Sequence, residues 1–190
     1  MTYPAILDLA ESCGYTVFKT GNLNLNIIGV RTPSREANKF DDRLHLVYKE
    51  DGTWQEHVYA ITTDPGTYWL ANPMCVEGTA ILAPGQYRGA YTLGKHRGSY
   101  DALVQIGDVA AYRDGNKDNT HDRNPDTIQV GRFGINIHRA SSVLESSSVN
   151  KWSAGCQVFA SPTDFAEFLG IVKTAASIWG SKFSYTLIEE

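Results

Sequence analysis

Gly134-Ile-Asn-Ile-His138-Arg-Ala140, the Ser-rich run Ser141–Ser148, then Asn150-Lys-Trp152-Ser-Ala-Gly-Cys156-Gln-Val-Phe-Ala160: this stretch decides how the chain is read. Ile135 and Ile137 alternate with Asn136 and His138. On a strand, alternate residues face opposite sides. A strand over 134–138 is therefore anchored by its isoleucines and presents an amide and an imidazole to an open side. The polar Ser141–Ser148 loop brings the chain back toward His138. Ser153, Ala154 and Gly155 are small, so a substrate can come close to the backbone there. Cys156 follows His138 by 156 − 138 = 18 residues. That arrangement suits a Cys–His nucleophilic pair, in which an adjacent imidazole lowers the thiol pKa from about 8.5 toward neutrality. Taken one at a time, a buried core thiol and a hydrogen-bonded histidine are the plainer readings of Cys156 and His138.

Outward from this stretch the patterns are mostly those of strands. Leu23, Leu25 and Ile27 alternate with asparagines, and Leu44, Leu46 and Tyr48 repeat the period of two. Glu50-Asp51-Gly52-Thr53 predicts a hairpin turn, with 57–63 as the returning strand before Asp64-Pro65-Gly66. Further strands are expected at 79–82, 102–106, 109–113, 127–130 and 182–188. Residues 4–13 predict a short helix, with Pro4 in its first turn, Ile6, Leu9 and Cys13 on its buried face and Gly14 at its end. Ser161-Pro162-Thr163-Asp164 carries an N-cap, a first-turn proline and a capping-box acid. Phe165, Phe168, Leu169, Val172 and Ala176 then form one apolar face, and Gly180 closes the helix. The expectation is one mainly-β domain over 1–190, with a short N-terminal helix and a longer helix after Cys156.

The 190 residues suffice for one self-supporting core. Lys and Arg number 17 against 21 Asp and Glu, a net charge of −4. Such a balance argues against sequence-independent nucleic-acid binding, which needs a concentrated basic surface. No apolar run is long enough to span a membrane. Asp8 and Glu11 interrupt the N-terminus, and no basic leader precedes them, so the chain is expected to be made in the cytoplasm without a secretory signal. Three cysteines, Cys13, Cys75 and Cys156, make no disulfide framework. Cys13 is expected to be a small buried hydrophobe and Cys75 structural.

The ordered pair His138 and Ser153-Ala154-Gly155-Cys156 resembles the signature of the L,D-transpeptidase (YkuD) catalytic domain family, a strand histidine followed after a short loop by Ser-x-Gly-Cys. The resemblance covers roughly residues 79–160, and Ala83-Pro84-Gly85-Gln86-Tyr87 is similar to the family's Pro-x-Gly-x-aromatic strand entry. It implies a β-sandwich or barrel-like fold and a monomeric cysteine acyl-transfer enzyme acting on peptidoglycan stem peptides. Cys156 would attack the carbonyl of the diamino acid before a D-residue, and His138 would take the thiol proton and return it to the leaving amine. Backbone N–H groups at Gly155 and Cys156, with Ser153, would hold the oxyanion. Asn136 or a backbone carbonyl would fix the imidazole tautomer. The chain departs from the family where Ala154 replaces a histidine and where Gln157 and Val158 replace an apolar residue and an arginine. Arg139 is the candidate substitute for that arginine, and Trp152 the candidate groove wall. The missing arginine and the lack of a leader imply hydrolysis rather than cross-linking, by a divergent bacteriophage enzyme that reaches the wall on release or on a virion. The same departures fit a non-catalytic wall-binding or virion structural module.

Three other groupings compete for notice. Asp114, Asn116, Asp118 and Asp122 fall at positions one, three, five and nine of a calcium loop, but position twelve is Pro125, so a polar hairpin tip with Asx turns is expected and no cofactor is implied. Arg88, Lys95, His96 and Arg97 form a local basic cluster, read either as a solvated loop or as an attractor of carboxylates. His96, His121 and His138 lack the spacing of a zinc motif.

Overall fold

The computed structural model describes residues 2–190. Strands β1 (Asn26–Arg31), β2 (Asp42–Glu50), β3 (Thr53–Thr62), β4 (Thr79–Leu82), β5 (Gly85–His96), β6 (Tyr100–Gln105), β7 (Val109–Asp114), β8 (Gln129–Gly131), β9 (Ile137–Arg139), β10 (Gln157–Phe159) and β11 (Lys182–Glu189) make the body of the chain, with helices α1 (Ala5–Ser12), α2 (Thr67–Ala71) and α3 (Pro162–Trp179). Eight strands close into a barrel in the order β1-β11-β5-β6-β9-β10-β3-β2. Strands β4, β7 and β8 form a separate three-stranded sheet. The mainly-β expectation, with its short N-terminal helix and longer helix after Cys156, holds.

The β2–β3 turn falls at Asp51 (φ 47°) and Gly52 (φ 79°), the paired left-handed conformation of a tight hairpin. Helix α3 begins where its sequence says: Ser161 Oγ accepts from the Asp164 N–H at 3.2 Å. Its buried face is Phe165, Phe168, Val172 and Ala175. Phe165 and Phe168 pack on Phe159 of β10 with ring centroids 5.3 and 5.0 Å away. The helix thereby braces the strand that follows Cys156.

Several expectations need correction. The first strand lies at 26–31 and not at 22–27. It is buried along its whole length, since Ile27 belongs to the main core while Ile28 and Val30 pack under α1. A strand covered on both faces shows no period of two. The alternating asparagines before it serve the backbone locally: Asn24 donates to Thr20 O and Asn26 binds both Phe18 backbone groups. Strand β5, twelve residues with three glycines, is expected only at its entry, Pro84-Gly85-Gln86-Tyr87; the rest of it is absent from the sequence reading, and so is α2. Residues 102–105 and 109–113 are strands, but β6 lies in the barrel and β7 in the second sheet. On α1 the buried residues are Ile6, Leu7 and Ala10; Cys13 is exposed, because the inward stripe runs from Ile6 through Leu7 and Ala10, away from Leu9 and Cys13.

One end of the barrel holds a buried charge network. Arg31, fully buried at the end of β1, donates to Thr63 Oγ1 at 2.8 Å and to Leu82 O at 2.8 Å, and lies 3.2 Å from Asp64. Arg123 bridges Asp64 and Glu189, each at 2.8 Å. Asp42 accepts from the Thr63 N–H and hydroxyl at 2.7 and 2.8 Å. Among the described residues no helix is long and apolar enough to cross a membrane.

Candidate active site

Strands β9 and β10 pair in parallel, with Gln157 opposite Ile137 and Val158 opposite His138. Extending that register sets Cys156 beside Asn136, whose carbonyl accepts from the Gln157 N–H at 2.9 Å. Cys156 and His138 thus lie on the same sheet face as diagonal neighbours, a spacing that side chains span. The strand expected at 134–138 is regular only over 137–139. Gly134 is left-handed (φ 72°), and the Phe133 and Ile135 N–H groups both donate to Gln105 Oε1 in place of a ladder. The facing is still as expected for the isoleucines, since Ile135 and Ile137 are buried.

The half-buried Cys156 thiol donates to Gly134 O at 3.5 Å and accepts from the Asn136 N–H at 3.4 Å. It makes no hydrogen bond with His138. Burial pushes the thiol pKa up to about 11, against the Asn136 N–H and the nearby Arg97 charge, which lower it. Burial and the neighbouring His96 push His138 down to about 3, and the Arg139 carbonyl only partly offsets them. The expected thiolate is therefore corrected: at rest both groups are neutral, because burial outweighs every charge that would ionise the pair.

His138 faces no open side. It is 3% exposed, roofed by His96, whose ring stacks on it at 3.9 Å and 22°. Its Nδ1 lies 2.8 Å from Arg139 O, an acceptor only, so Nδ1 carries the proton and the unpartnered Nε2 holds the lone pair. The backbone carbonyl, not Asn136, fixes this tautomer. Asn136 instead accepts from the Gln105 N–H at 2.9 Å and reaches His96.

Ser153 is fully buried; its hydroxyl donates to Cys156 O at 2.8 Å and accepts from the Gly155 N–H at 3.1 Å. It braces the loop, and neither that hydroxyl nor that N–H is free for an oxyanion. Among the described residues the Cys156 N–H has no backbone acceptor outside the regular strands. Gly155 sits at φ 114°, where a Cβ would lie 2.2 Å from Ala80 O of β4. Gly66, before α2, touches the same loop: its N–H donates to Ser153 O, and a Cβ would lie 2.1 Å from Asn150 O.

Two clefts flank this edge. One of about 330 Å³ is lined by His96, Arg97, Tyr100, His138, Arg139 and Trp152. The other, about 790 Å³, is lined by Tyr68, Asn72, Arg97, Asn150, Lys151 and Trp152. Arg97, Lys151 and Trp152 belong to both walls. Arg139 lies over the Tyr100 ring at 4.2 Å, and Lys151 over Tyr68 at 4.2 Å. Ala154 lines a smaller cavity with Trp69 and Phe133. Of the basic cluster only His96 and Arg97 reach the site. Lys95 pairs with Asp101 at 2.6 Å, and Arg88 lies near Phe18.

Tyr100 and α2 escaped the sequence reading, which places His96 only in the basic cluster and the rejected zinc set, not as a neighbour of His138. His96 lies 138 − 96 = 42 residues before His138, and only the turn at Arg97 (φ 48°) and Gly98 (φ 70°) folds it over the site. His121 sits elsewhere, with Nε2 2.9 Å from Pro65 O. The 114–122 loop closes on itself through Asx turns, and Asn116 donates to Asp118 and Asp122. Cys75 donates to Gly78 O and accepts from Arg113.

No protein-family model matches the chain, and no solved structure matches it at a significant level. Over 134 residues, 68% of this chain, it is 29% identical to a D-(-)-3-hydroxybutyrate oligomer hydrolase of Polaromonas sp. (strain JS666 / ATCC BAA-500). The match spans only 17% of that protein's length.

Proposed function

We propose that the chain is a cysteine acyl-transfer enzyme of the L,D-transpeptidase kind, acting on peptidoglycan stem peptides at an L-to-D step. The observation that carries this reading is the pairing of β9 with β10, which puts a half-buried thiol on one face with a tautomer-fixed imidazole that lines a cleft. In the reaction, the Cys156 thiol gives its proton to His138 Nε2 as sulfur attacks the carbonyl. Collapse to a thioester releases the amine, which takes the proton back. Water then hydrolyses the thioester. Cationic Arg97, Arg139 and Lys151 rim the clefts of a chain of net charge −4, which suits an anionic stem peptide. Hydrolysis is favoured over transfer because Val158 occupies the position from which an arginine would hold an acceptor. The hydrolase name of the partial relative agrees with hydrolytic chemistry in general and with nothing finer. Access to the wall would follow release from the cell or carriage on a virion.

The resting neutrality of thiol and imidazole favours a second reading, a non-catalytic wall-binding or virion structural module. Incubation with purified disaccharide tetrapeptide, followed by chromatography with mass detection, separates the two. Tripeptide plus free D-alanine is expected. Cys156→Ala should abolish the product and His138→Gln should cut the rate by about 10² or more. A 3→3 cross-linked dimer as main product would indicate transpeptidation. Absence of product from any muropeptide would leave the binding module.

A further inference from the structure

His96 is a buried imidazole that the mechanism above does not use, and its neighbours fix its tautomer. The Gln105 N–H donates to Asn136 Oδ1 at 2.9 Å, which leaves the amide NH₂ of Asn136 facing His96 Nδ1 at 3.2 Å. An NH₂ group only donates, so Nδ1 must accept, and the proton of the neutral ring sits on Nε2. His138 is locked the opposite way, with Nδ1–H on Arg139 O. The Tyr100 hydroxyl, 3.1 Å from that carbonyl, donates to it as well. Two stacked rings in the wall of one cleft therefore carry complementary atoms, an N–H on His96 and a buried lone pair on His138. Their stacking at 3.9 Å also keeps a second charge off the pair once one ring is protonated.

The loop around the thiol is short of donors. Its Ser153 hydroxyl and Gly155 N–H are bonded within the loop. A tetrahedral oxyanion is usually held by two or more aimed donors, and losing one costs about 10²–10³ in rate. We infer that His96 is a second catalytic residue, whose Nε2–H donates a hydrogen bond to the acyl oxygen of the substrate that Cys156 attacks.

This rests on the acyl-transfer reading. In the step, the S–C bond forms, the thiol proton moves to His138 Nε2, and the carbonyl π pair moves onto oxygen. His96 holds that oxygen by hydrogen bond and keeps its own proton. The pair then returns, the C–N bond breaks, and the His138 imidazolium protonates the departing amine.

Two substitutions isolate the donor. His96→Phe keeps a ring over His138 but has no N–H; His96→Gln keeps an amide N–H near the Nε2 position. With disaccharide tetrapeptide as probe, thioacyl-enzyme formation in a single turnover, followed by intact-protein mass, should slow about 10²-fold in His96→Phe and largely recover in His96→Gln. Wild-type rates in His96→Phe, or equal losses in both variants, would overturn the assignment. The second pattern would mean the ring matters only for packing. Long-range ¹⁵N–¹H correlation at pH 7 needs no substrate: it should find His96 as the Nε2–H form and His138 as Nδ1–H. An Nδ1–H His96 overturns the inference whatever the kinetics. A wild type that does not acylate on the probe, with His96 found as Nε2–H, overturns the acyl-transfer reading and the catalytic part of His96 with it, and leaves its tautomer standing.

Discussion

At Cys156 the balance of burial against charge decides the chemistry. A thiol pKa pushed up to about 11 leaves on the order of one thiolate in 10⁴ at pH 7. With Cys13 and Cys75 replaced by serine, iodoacetamide alkylation of Cys156 is expected to rise about tenfold per pH unit from 7 to 10, following the thiolate fraction. A plateau reached below pH 8 would instead reveal a preformed thiolate–imidazolium pair. The proposed reaction does not need that pair, since His138 Nε2 would receive the proton during attack. The neighbouring Gly155 is held by geometry. Its φ of 114° and the 2.2 Å approach of Ala80 O leave no room for a methyl group. Gly155→Ala should lose about 2 kcal/mol or more in urea denaturation and misplace the thiol, with activity falling further than stability explains. Wild-type stability in that variant would contradict the packing of β4 on the loop. That Cys156 and His138 come together was legible in the sequence because both lie in one short stretch. The roof, His96 and Tyr100, was not, because a hairpin brings it from 42 residues away and no local spacing marks it.

Elements differ in how openly they declare themselves. Helix α3 was legible at both ends, since Ser161, Pro162, Asp164 and Gly180 are local signals and its apolar face has a single side to cover. The β2–β3 hairpin was legible for the same reason. Strand β1 was not, because α1 covers its outer face and removes the alternation. Strand β5 was legible only at its entry: beyond it Gly89 and Gly94 interrupt the side-chain pattern, although Gly94 lies flush against Val104, where a Cβ would come within 2.6 Å. The cap of α3 supports a direct test. Ser161→Ala removes the acceptor of the Asp164 N–H and should cost about 1 kcal/mol by urea denaturation. Because α3 braces Phe159 on β10, the same variant should raise amide exchange at 157–159 as well as in the first turn. Exchange changed in the helix alone would show that β10 is held independently of it.

Across the whole molecule the barrel is tied at one end by charge. Burial alone would raise Asp64, but Arg31, His121 and Arg123 outweigh it and hold its carboxyl below the usual carboxylate range. Asp42 is shifted the other way, raised by burial and by the charge of Asp64. These shifts have opposite consequences on acidification. The stabilisation from Asp64 is fully present above its unfolded pKa of about 4 and is lost as pH falls through the lower folded value. Asp42 costs stability while ionised, and protonation relieves that cost, so the wild type alone blends the two effects. Asp64→Asn separates them. At pH 7 the variant leaves Arg31 and Arg123 buried with one carboxylate fewer, and the expected loss is about 3–5 kcal/mol in urea denaturation. That loss should stay constant from pH 7 to about 5 and shrink as pH falls below about 4, because the wild type is then losing the same charge. Asp42 does not cancel by itself, because the Asp64 charge is one of the causes that raise it, so the comparison is made with Asp42→Asn in both proteins. A loss that grew toward low pH would mean that the Asp64 carboxyl is raised rather than lowered, and that its arginines do not outweigh its burial.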